Sequence, residues 1–417
     1  MQIIPNVAED DSNLKKIGVS YALLFKWIFL GIVTGIIVGL AGTLFCHMLS
    51  FATTYRQAHP IIILCLPLIG PVIVFMYHFF KDYNDTGTNL IIKAITNEEK
   101  IPLFKAPLII ISTFLTHLFG GSAGREGAAL QFGGSLGYNI GEMFRLDTGD
   151  KKILTMSGMA AAFSALFGTP MAASVFAIEL ASVGSMHYAA LVPCVTASIV
   201  SLKLSRYLGV EADAFKVKVI PELTPSLVVY SIILSILCAM VSILFCLSIK
   251  YGRSILDKFF KNAYLKAVAG GLIIVLLSLI FRSGYYNGAG MNVIEMAFEG
   301  TSPRLAFLIK LLFTAITLGA GYKGGEIVPT FFVGATFGCL FANITGFPIE
   351  LAVAMSMTAV FCGVTNCPIA SLLIAFEMFG FEGMIYYLIT VSLGYAISGY
   401  YGLYGSQQIR YSKLYFR

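Results

Sequence analysis

The sequence predicts an all-helical membrane protein built from two repeats. Three observations predict it. Charged residues make up 12% of the 417 positions and hydrophobic ones 57%, whereas a soluble globular domain carries about 25% charged residues. Long apolar runs follow one another without the period-two alternation of a membrane β-barrel. Three blocks of the first half recur, in order, in the second. At about 20 residues per span, this length admits roughly 10 to 14 membrane helices. Composition excludes a soluble enzyme, a disordered scaffold and a nucleic-acid binder.

The chain opens on MQIIPNVAEDDSNLKK, which is polar and carries acids, unlike a secretory signal or a transit peptide. The first apolar run, 21–49, is too long for a signal sequence. Insertion through this span, with no presequence, fits a bacterial inner membrane. Further apolar segments lie at 61–80, 103–120, 128–145, 153–183, 188–206, 224–250, 265–281, 304–320, 327–345, 349–363, 368–380 and 383–401. Several are only 13 to 18 residues long and interrupted by Gly or Pro. Such segments predict half-helices that meet inside the bilayer.

Basic residues cluster in three places: Lys15 and Lys16 before the first span, Lys250, Arg253, Lys258, Lys261 and Lys266 in the mid-chain loop and its flanks, and Arg410, Lys413 and Arg417 at the end. The positive-inside rule puts all three, and so both termini, in the cytoplasm. The net charge of +6 is then loop charge, not the mark of an acidic partner. The expected division is a cytoplasmic segment 1–20, a first transmembrane repeat 21–210, a second 211–412 and a tail 413–417, with no soluble regulatory domain. The eight cysteines sit almost entirely in apolar runs and form no CxxC, which fits small core residues.

The internal repeat is specific. GREGAALQFGGSLG (124–137) resembles GGEIVPTFFVGATFG (324–338), and at an offset of 200 Gly124, Glu126, Phe132 and Gly134 match Gly324, Glu326, Phe332 and Gly334. Met156-Ser157 is echoed by Met355-Ser356, and Pro170 with Glu179 by Pro368 with Glu377. Two repeats, each with a Gly-rich helix start, are a transporter signature. The sequence leaves open whether they are parallel or inverted.

Chemistry is concentrated at these helix starts. In Gly121-Ser122-Ala123-Gly124-Arg125-Glu126-Gly127-Ala128 the glycines leave amides unhindered, and the helix that follows points free N–H groups and its positive dipole end at whatever lies before it. That is an anion site without a formal charge. Glu126 is a carboxylate at the same place and competes with a diffusible anion until it is protonated. The plain alternative is a first-turn Glu that stabilises a helix end. Gly324-Gly325-Glu326-Ile327-Val328-Pro329 repeats the theme, with Pro329 early in its helix, where a missing N–H is harmless. Thr86-Gly87-Thr88-Asn89-Leu90 is a third candidate, or an ordinary N-cap. Glu179 and Glu377 end apolar segments and read as structural rather than as ion ligands. The five histidines show no ligand spacing, and there is no P-loop, so neither metal, ATP nor any other cofactor is expected.

Together these blocks resemble the CLC family of anion channels and proton-coupled antiporters, over roughly residues 20–412. GREGA at 124–128 is similar to the family's G(K/R)EGP motif, with Ala128 in place of its Pro, GGEIVP at 324–329 to its GxFxP motif, and MSGMAAAFSALFGTPMAASVFAIE at 156–179 to the helix that ends each half. GLYGSQQI at 402–409 resembles the segment with the anion-binding tyrosine. The resemblance implies two inverted repeats with broken and re-entrant helices and a homodimer with one pathway per subunit. It also implies that Glu126 is the gating glutamate and Tyr404 the inner tyrosine. Tyr411 competes for that role, but Gly-x-Tyr fits Tyr404 better.

Three departures from the chloride-transporting pattern narrow the expectation. Thr88 stands where the motif serine touches the ion, Glu326 stands where the second motif has an apolar residue, and Glu179 is followed by Leu180 rather than a second acid. All three resemble the fluoride/proton antiporter branch, CLC-F. Fluoride is small and strongly hydrated, so a site must offer strong, close donors, and a protonated Glu326 is a better donor than an aliphatic side chain. The expected function is export of fluoride in exchange for protons, giving fluoride resistance, by a secondary transporter and not an enzyme. Glu126 and Glu326 handle the exchange, and Thr88, Gly127, Ala128, Glu326, Ile327, Val328 and Tyr404 form the anion site. The alternatives are a chloride/proton antiporter or chloride channel of the same family, and a cation transporter, which helix dipoles at the acids oppose.

Overall fold

The computed structural model describes residues 13–83, 85–211, 215, 217–281 and 284–413, with side chains from residue 21 onward. The stretch before Asn13, the side chains of Lys15 and Lys16, and the tail from 414, Arg417 included, lie outside the described residues, as do residues 212–214 at the expected boundary between halves.

Sixteen α-helices carry the described chain. The first eight are α1 (Asn13–Ala58), α2 (Leu66–Phe79), α3 (Thr88–Asn97), α4 (Lys105–Leu118), α5 (Glu126–Met143), α6 (Thr148–Phe167), α7 (Pro170–Glu179) and α8 (Leu191–Tyr207). The second eight are α9 (Pro225–Phe259), α10 (Ala263–Phe281), α11 (Met291–Phe298), α12 (Ala306–Gly319), α13 (Ile327–Thr345), α14 (Ile349–Thr365), α15 (Pro368–Phe379) and α16 (Met384–Ile397). The order of long, short and broken helices in the first set recurs in the second. Among the described residues six stretches are long and apolar enough to cross a bilayer: Tyr21–Ala58, Pro60–Phe79, Tyr188–Tyr207, Pro225–Phe259, Ala263–Phe281 and Ile327–Thr345. The remaining apolar helices run 10 to 17 residues, as the interrupted segments predict.

Two segments differ from expectation. The apolar run 153–183 is not one element. Gly168 takes a left-handed φ of 76° and closes α6 by donating to Ser164 O, and Pro170 starts α7 at its first position. The mid-chain basic loop is mostly helix: Lys250, Arg253 and Lys258 ride the last turns of α9, where cations oppose the negative dipole end.

The core is built around α6 and α14. In α14 every residue from Leu351 to Thr365 is buried, and in α6 every residue from Leu154 to Phe167. A helix apolar on all sides belongs in the middle of a membrane bundle. Close backbone contact makes this possible. A Cβ on Gly133 or Gly137 would strike the backbone of α6, and one on Gly334 or Gly338 that of α14. Seven cysteines are buried and Cys65 is exposed.

Reciprocal bonds join the halves. Glu179, at the end of α7, accepts from Ile369 N (3.2 Å) and Ala370 N (2.8 Å) at the start of α15. Glu377, near the end of α15, accepts from Met171 N (3.0 Å) and Ala172 N (2.8 Å) at the start of α7. Each acid satisfies amides that its partner helix cannot satisfy itself. Equivalent helices that meet start to end run antiparallel. A two-fold axis lying across them produces this, so the repeats are inverted. Removing either cap leaves two amides unpaired at a low-dielectric site. We expect Glu179→Ala, at the more buried cap, to cost about 2 kcal/mol, Glu377→Ala about 1 kcal/mol, and Glu179→Gln less than Glu179→Ala. Thermal unfolding of the purified variants in detergent checks this ranking, and unchanged melting in both alanine variants would contradict it.

Candidate functional site

The site is where α5 and α13 begin. Gly124 N donates to Gly325 O (2.7 Å) and Gly325 N to Gly124 O (2.8 Å), a single antiparallel bridge that places the two helix starts side by side. The flanking loops are tied reciprocally as well. Ser122 N donates to Thr317 Oγ1 of α12 (3.1 Å), and Lys323 N donates to Thr116 Oγ1 of α4 (3.2 Å).

These bonds correct the register of the repeat. The bridge pairs Gly124 with Gly325, the cap residues are Arg125 and Glu326, and the first helical residues are Glu126 and Ile327, all at an offset of 201. The offset of 200, chosen by residue identity, slips by one. Glu126 and Glu326 are therefore not two-fold mates: Glu326 stands in the place of Arg125.

Glu126 is fully buried at the first position of α5. Its carboxylate accepts from its neighbour, Arg125, through Nε (2.9 Å to Oε1) and the backbone N (3.1 Å to Oε2). Glu326 caps α13, and its Oε2 is buried without a hydrogen-bond partner in the protein. That oxygen points at the other helix start, since a Cβ added to Gly127 would sit 2.8 Å from it and 2.7 Å from Gly325 Cα. Only glycine fits there. Ala128, Ile327 and Val328 are buried in the first turns of the two helices, where backbone N–H groups are unused by the helix.

Thr88 opens α3 and is buried. Its hydroxyl donates to Gly127 O (3.4 Å) and accepts from Gln131 Nε2 (3.3 Å), so it holds the Gly127 peptide. Tyr404 is buried and its hydroxyl meets no protein partner, while the Glu326 carboxylate acts on it electrostatically. Tyr411 is 68% exposed, which separates the two tyrosines. Gln407, which donates to Leu180 O (2.9 Å), and the short parallel pairing of Ser182–Val183 with Gln408–Ile409 fasten the Tyr404 segment to the end of the first half. The structure thus brings Glu126, Gly127, Thr88 and Glu326 to one point, with Tyr404 within electrostatic reach of Glu326. Glu179 and Glu377 belong to the caps.

Two cavities flank this point at opposite ends of α10, whose 19 residues span about 28 Å. One, of about 720 Å³, touches Ser278 and Leu279 and reaches Arg56, His117 and Arg125. The other, of about 130 Å³, touches Ala263 and Lys266 and reaches Tyr77, Asp85 and Lys323. The large cavity leads to Arg125, the clamp of Glu126, and the small one to the segment before Glu326.

Several of these residues escaped the sequence analysis. Lys310 is fully buried, donates to Tyr286 O (3.2 Å) and Gly288 O (2.6 Å), and lies 5.1 Å from the Phe332 ring centroid. Its signal was present, since a lysine inside an apolar segment is a functional candidate. Gln131 and Asp85 had only their closeness to the motifs.

The family model described as voltage gated chloride channel matches residues 69–399. The chain belongs to this family, the CLC proteins. It is 33% identical to a chloride/fluoride channel protein of Pseudomonas syringae pv. tomato, over 93% of this chain and 87% of that one. It is similar to the crystal structure of a CLC-type fluoride/proton antiporter, with a TM-score of 0.90 and 33% identity over 93% of this chain and 99% of that chain. A slow cyanobacterial Cl−/H+ antiporter shares the fold, with a TM-score of 0.77 and 21% identity over 89% and 94% of the two chains. As a CLC protein the chain is an integral membrane transporter or channel, not an enzyme.

The Gly127 contact makes a prediction. A methyl group there must displace Gly325 or the Glu326 carboxyl. Gly127→Ala should cost about 1–3 kcal/mol and lower anion flux at least tenfold. Reconstitution beside a melting curve checks both.

Proposed function

We propose that this CLC protein exports fluoride in exchange for protons. The observation that carries the reading is the Glu326 carboxyl, whose Oε2 has no protein partner and is aimed at Gly127, where the gating glutamate's helix begins. The 33% identical relative and the 33% identical antiporter structure, whose names include fluoride, support it.

Glu126, ionised, holds the positive end of α5 and the Arg125 side chain. An anion reaching the amides of Gly127, Ala128, Ile327 and Val328 competes for the same field. A proton arriving at Glu126 through the Arg125 cavity removes its charge and frees its place, so proton and anion exchange positions. Glu326, when protonated, donates from Oε2 to fluoride, and the buried Tyr404 hydroxyl, which has no protein partner, is the second donor. Thr88 contributes by orienting the Gly127 peptide. Two such donors suit an ion whose hydration is hard to replace.

The transport unit comprises the repeats 21–210 and 211–412. The basic end of α9 and the smaller cavity lie in the cytoplasm of a bacterial cell, in its inner membrane, with both termini inside. The apolar faces of α8 and α16, including Val192, Val195, Ile385 and Leu388, are exposed on one chain and suit burial in a homodimer.

In liposomes under an imposed proton gradient, fluoride efflux should far exceed chloride efflux, and equal rates would move the chain to a chloride transporter. Glu126→Gln should abolish fluoride-driven proton movement. Glu326→Gln should disturb coupling more than folding, and Glu326→Ala should also weaken fluoride transport. If both Glu326 variants remain folded and keep normal exchange, Glu326 is outside the transport machinery and the case for fluoride over chloride fails.

A further inference from the structure

The smaller cavity is lined by an ion-pair network that the mechanism above does not use. Asp85 Oδ2 accepts from Lys323 Nζ (2.7 Å), and Asp85 Oδ1 accepts from Lys105 Nζ (2.7 Å) and Gly87 N (3.3 Å). Lys105 also pairs with Asp82, and Lys323 Nζ lies 4.1 Å from the Tyr77 ring centroid. Asp85 thereby joins three segments. One leads into α3 three residues before Thr88, one starts α4, and one leads into α13 three residues before Glu326.

The two halves make this link with different chemistry. The two-fold mate of Lys323 is Ser122, and the backbone amides of both make the same bond to an equivalent threonine. The Ser122 side chain stops at a local contact with Thr314 Oγ1 (3.1 Å). Lys323 instead crosses to the Thr88 loop. In the other half the equivalent loops are tied by neutral bonds, Gly288 N donating to Gly121 O (2.9 Å) and Asn287 Nδ2 to Gly120 O (2.7 Å), so what is particular to this side is that the tie is charged. Burial alone would raise the Asp85 carboxyl, but Lys323 and Lys105 overcome it and hold the group well below the usual carboxylate range. Asp85 therefore stays ionised and acts as a fixed strut rather than a proton carrier.

We propose that Asp85 and Lys323 are positioning residues whose ion pair locks the Thr88 helix start to the Glu326 helix start and so sets how many protons move per fluoride. This rests on fluoride/proton exchange as the function. The lock fixes the distance between the Gly127 peptide, held by Thr88, and the Glu326 carboxyl that faces it. Released, the two starts are joined only through the start of α5, their spacing loosens, and fluoride passes without its proton.

The test is simultaneous recording of fluoride and proton fluxes from liposomes holding the full-length wild type or variants. Asp85→Asn and Lys323→Gln should each lower the proton-to-fluoride ratio at least twofold while fluoride flux persists. Because they break one link, the double variant should be no worse than the poorer single variant. Asp85→Glu, which keeps the charge, should recover more than half of the wild-type ratio. Lys323 is 21% exposed at a cavity wall, so Lys323→Gln should fold even where Asp85→Asn does not, and it carries the same expectation alone. A wild-type ratio in either folded single variant overturns the proposal. So does a double variant whose loss is the product of the single losses, or a fall in flux and melting temperature at unchanged ratio. Wild-type vesicles that move no protons with fluoride would instead remove the functional reading, and this inference with it.

Discussion

Everything at the centre of this molecule depends on two hydrogen bonds between Gly124 and Gly325. They hold two helix starts side by side with their positive ends together, an arrangement that like dipoles oppose. The backbone bridge is neutral and needs no side chain, so the amides beyond it remain available. Glycine on both strands permits the approach, since a Cβ on Gly325 would collide with Gly127 N. The threonines of α4 and α12, the broken helices and the crossed caps of α7 and α15 keep this pair of peptides in register. Two helix starts held side by side concentrate their unused amides at one point.

The frame is symmetric but its chemistry is not. At the corrected register Arg125 and Glu326 occupy equivalent caps, so one half offers a cation where the other offers an acid. Glu126 is clamped by its neighbouring arginine, and Glu326 has an oxygen with no protein partner. Different surroundings for two acids allow one to stay ionised while the other takes a proton. The cavities divide along the same line. The larger reaches Arg125 and the smaller reaches Lys323. Inverted symmetry places a cavity at each end of α10, and the one-residue difference between the acids makes the two helix starts chemically unlike.

What could be read from the sequence was what local chemistry dictates. The Gly-rich starts of α5 and α13, the short interrupted helices and the paired Pro and Glu nine residues apart all follow from capping and from the need to satisfy backbone groups in lipid. The division of 153–183 was also visible in Gly168 and Pro170, but uniform apolarity masked it. The register of the repeat was not legible, because residue identity favoured an offset that hydrogen bonding does not. Nor was the use of the Thr88 hydroxyl on Gly127, or the reach of Lys323 to Asp85. Those depend on which loops meet across some 40 to 240 residues of chain, and nothing local encodes it.

The crossed caps also place an order on biosynthesis. The amides that open α7 are satisfied by an acid 206 positions later, and those of α15 by one already made. At about 5–20 residues per second, roughly 10 to 40 s separate the emergence of Met171 from that of Glu377. For that interval the first half carries an uncapped helix start and a carboxylate, Glu179, with no amide to accept from. It is an inserted but unfinished object until its second half arrives, and its insertion machinery must shelter both groups meanwhile. Neither half, cut from the other, would be a complete folding unit.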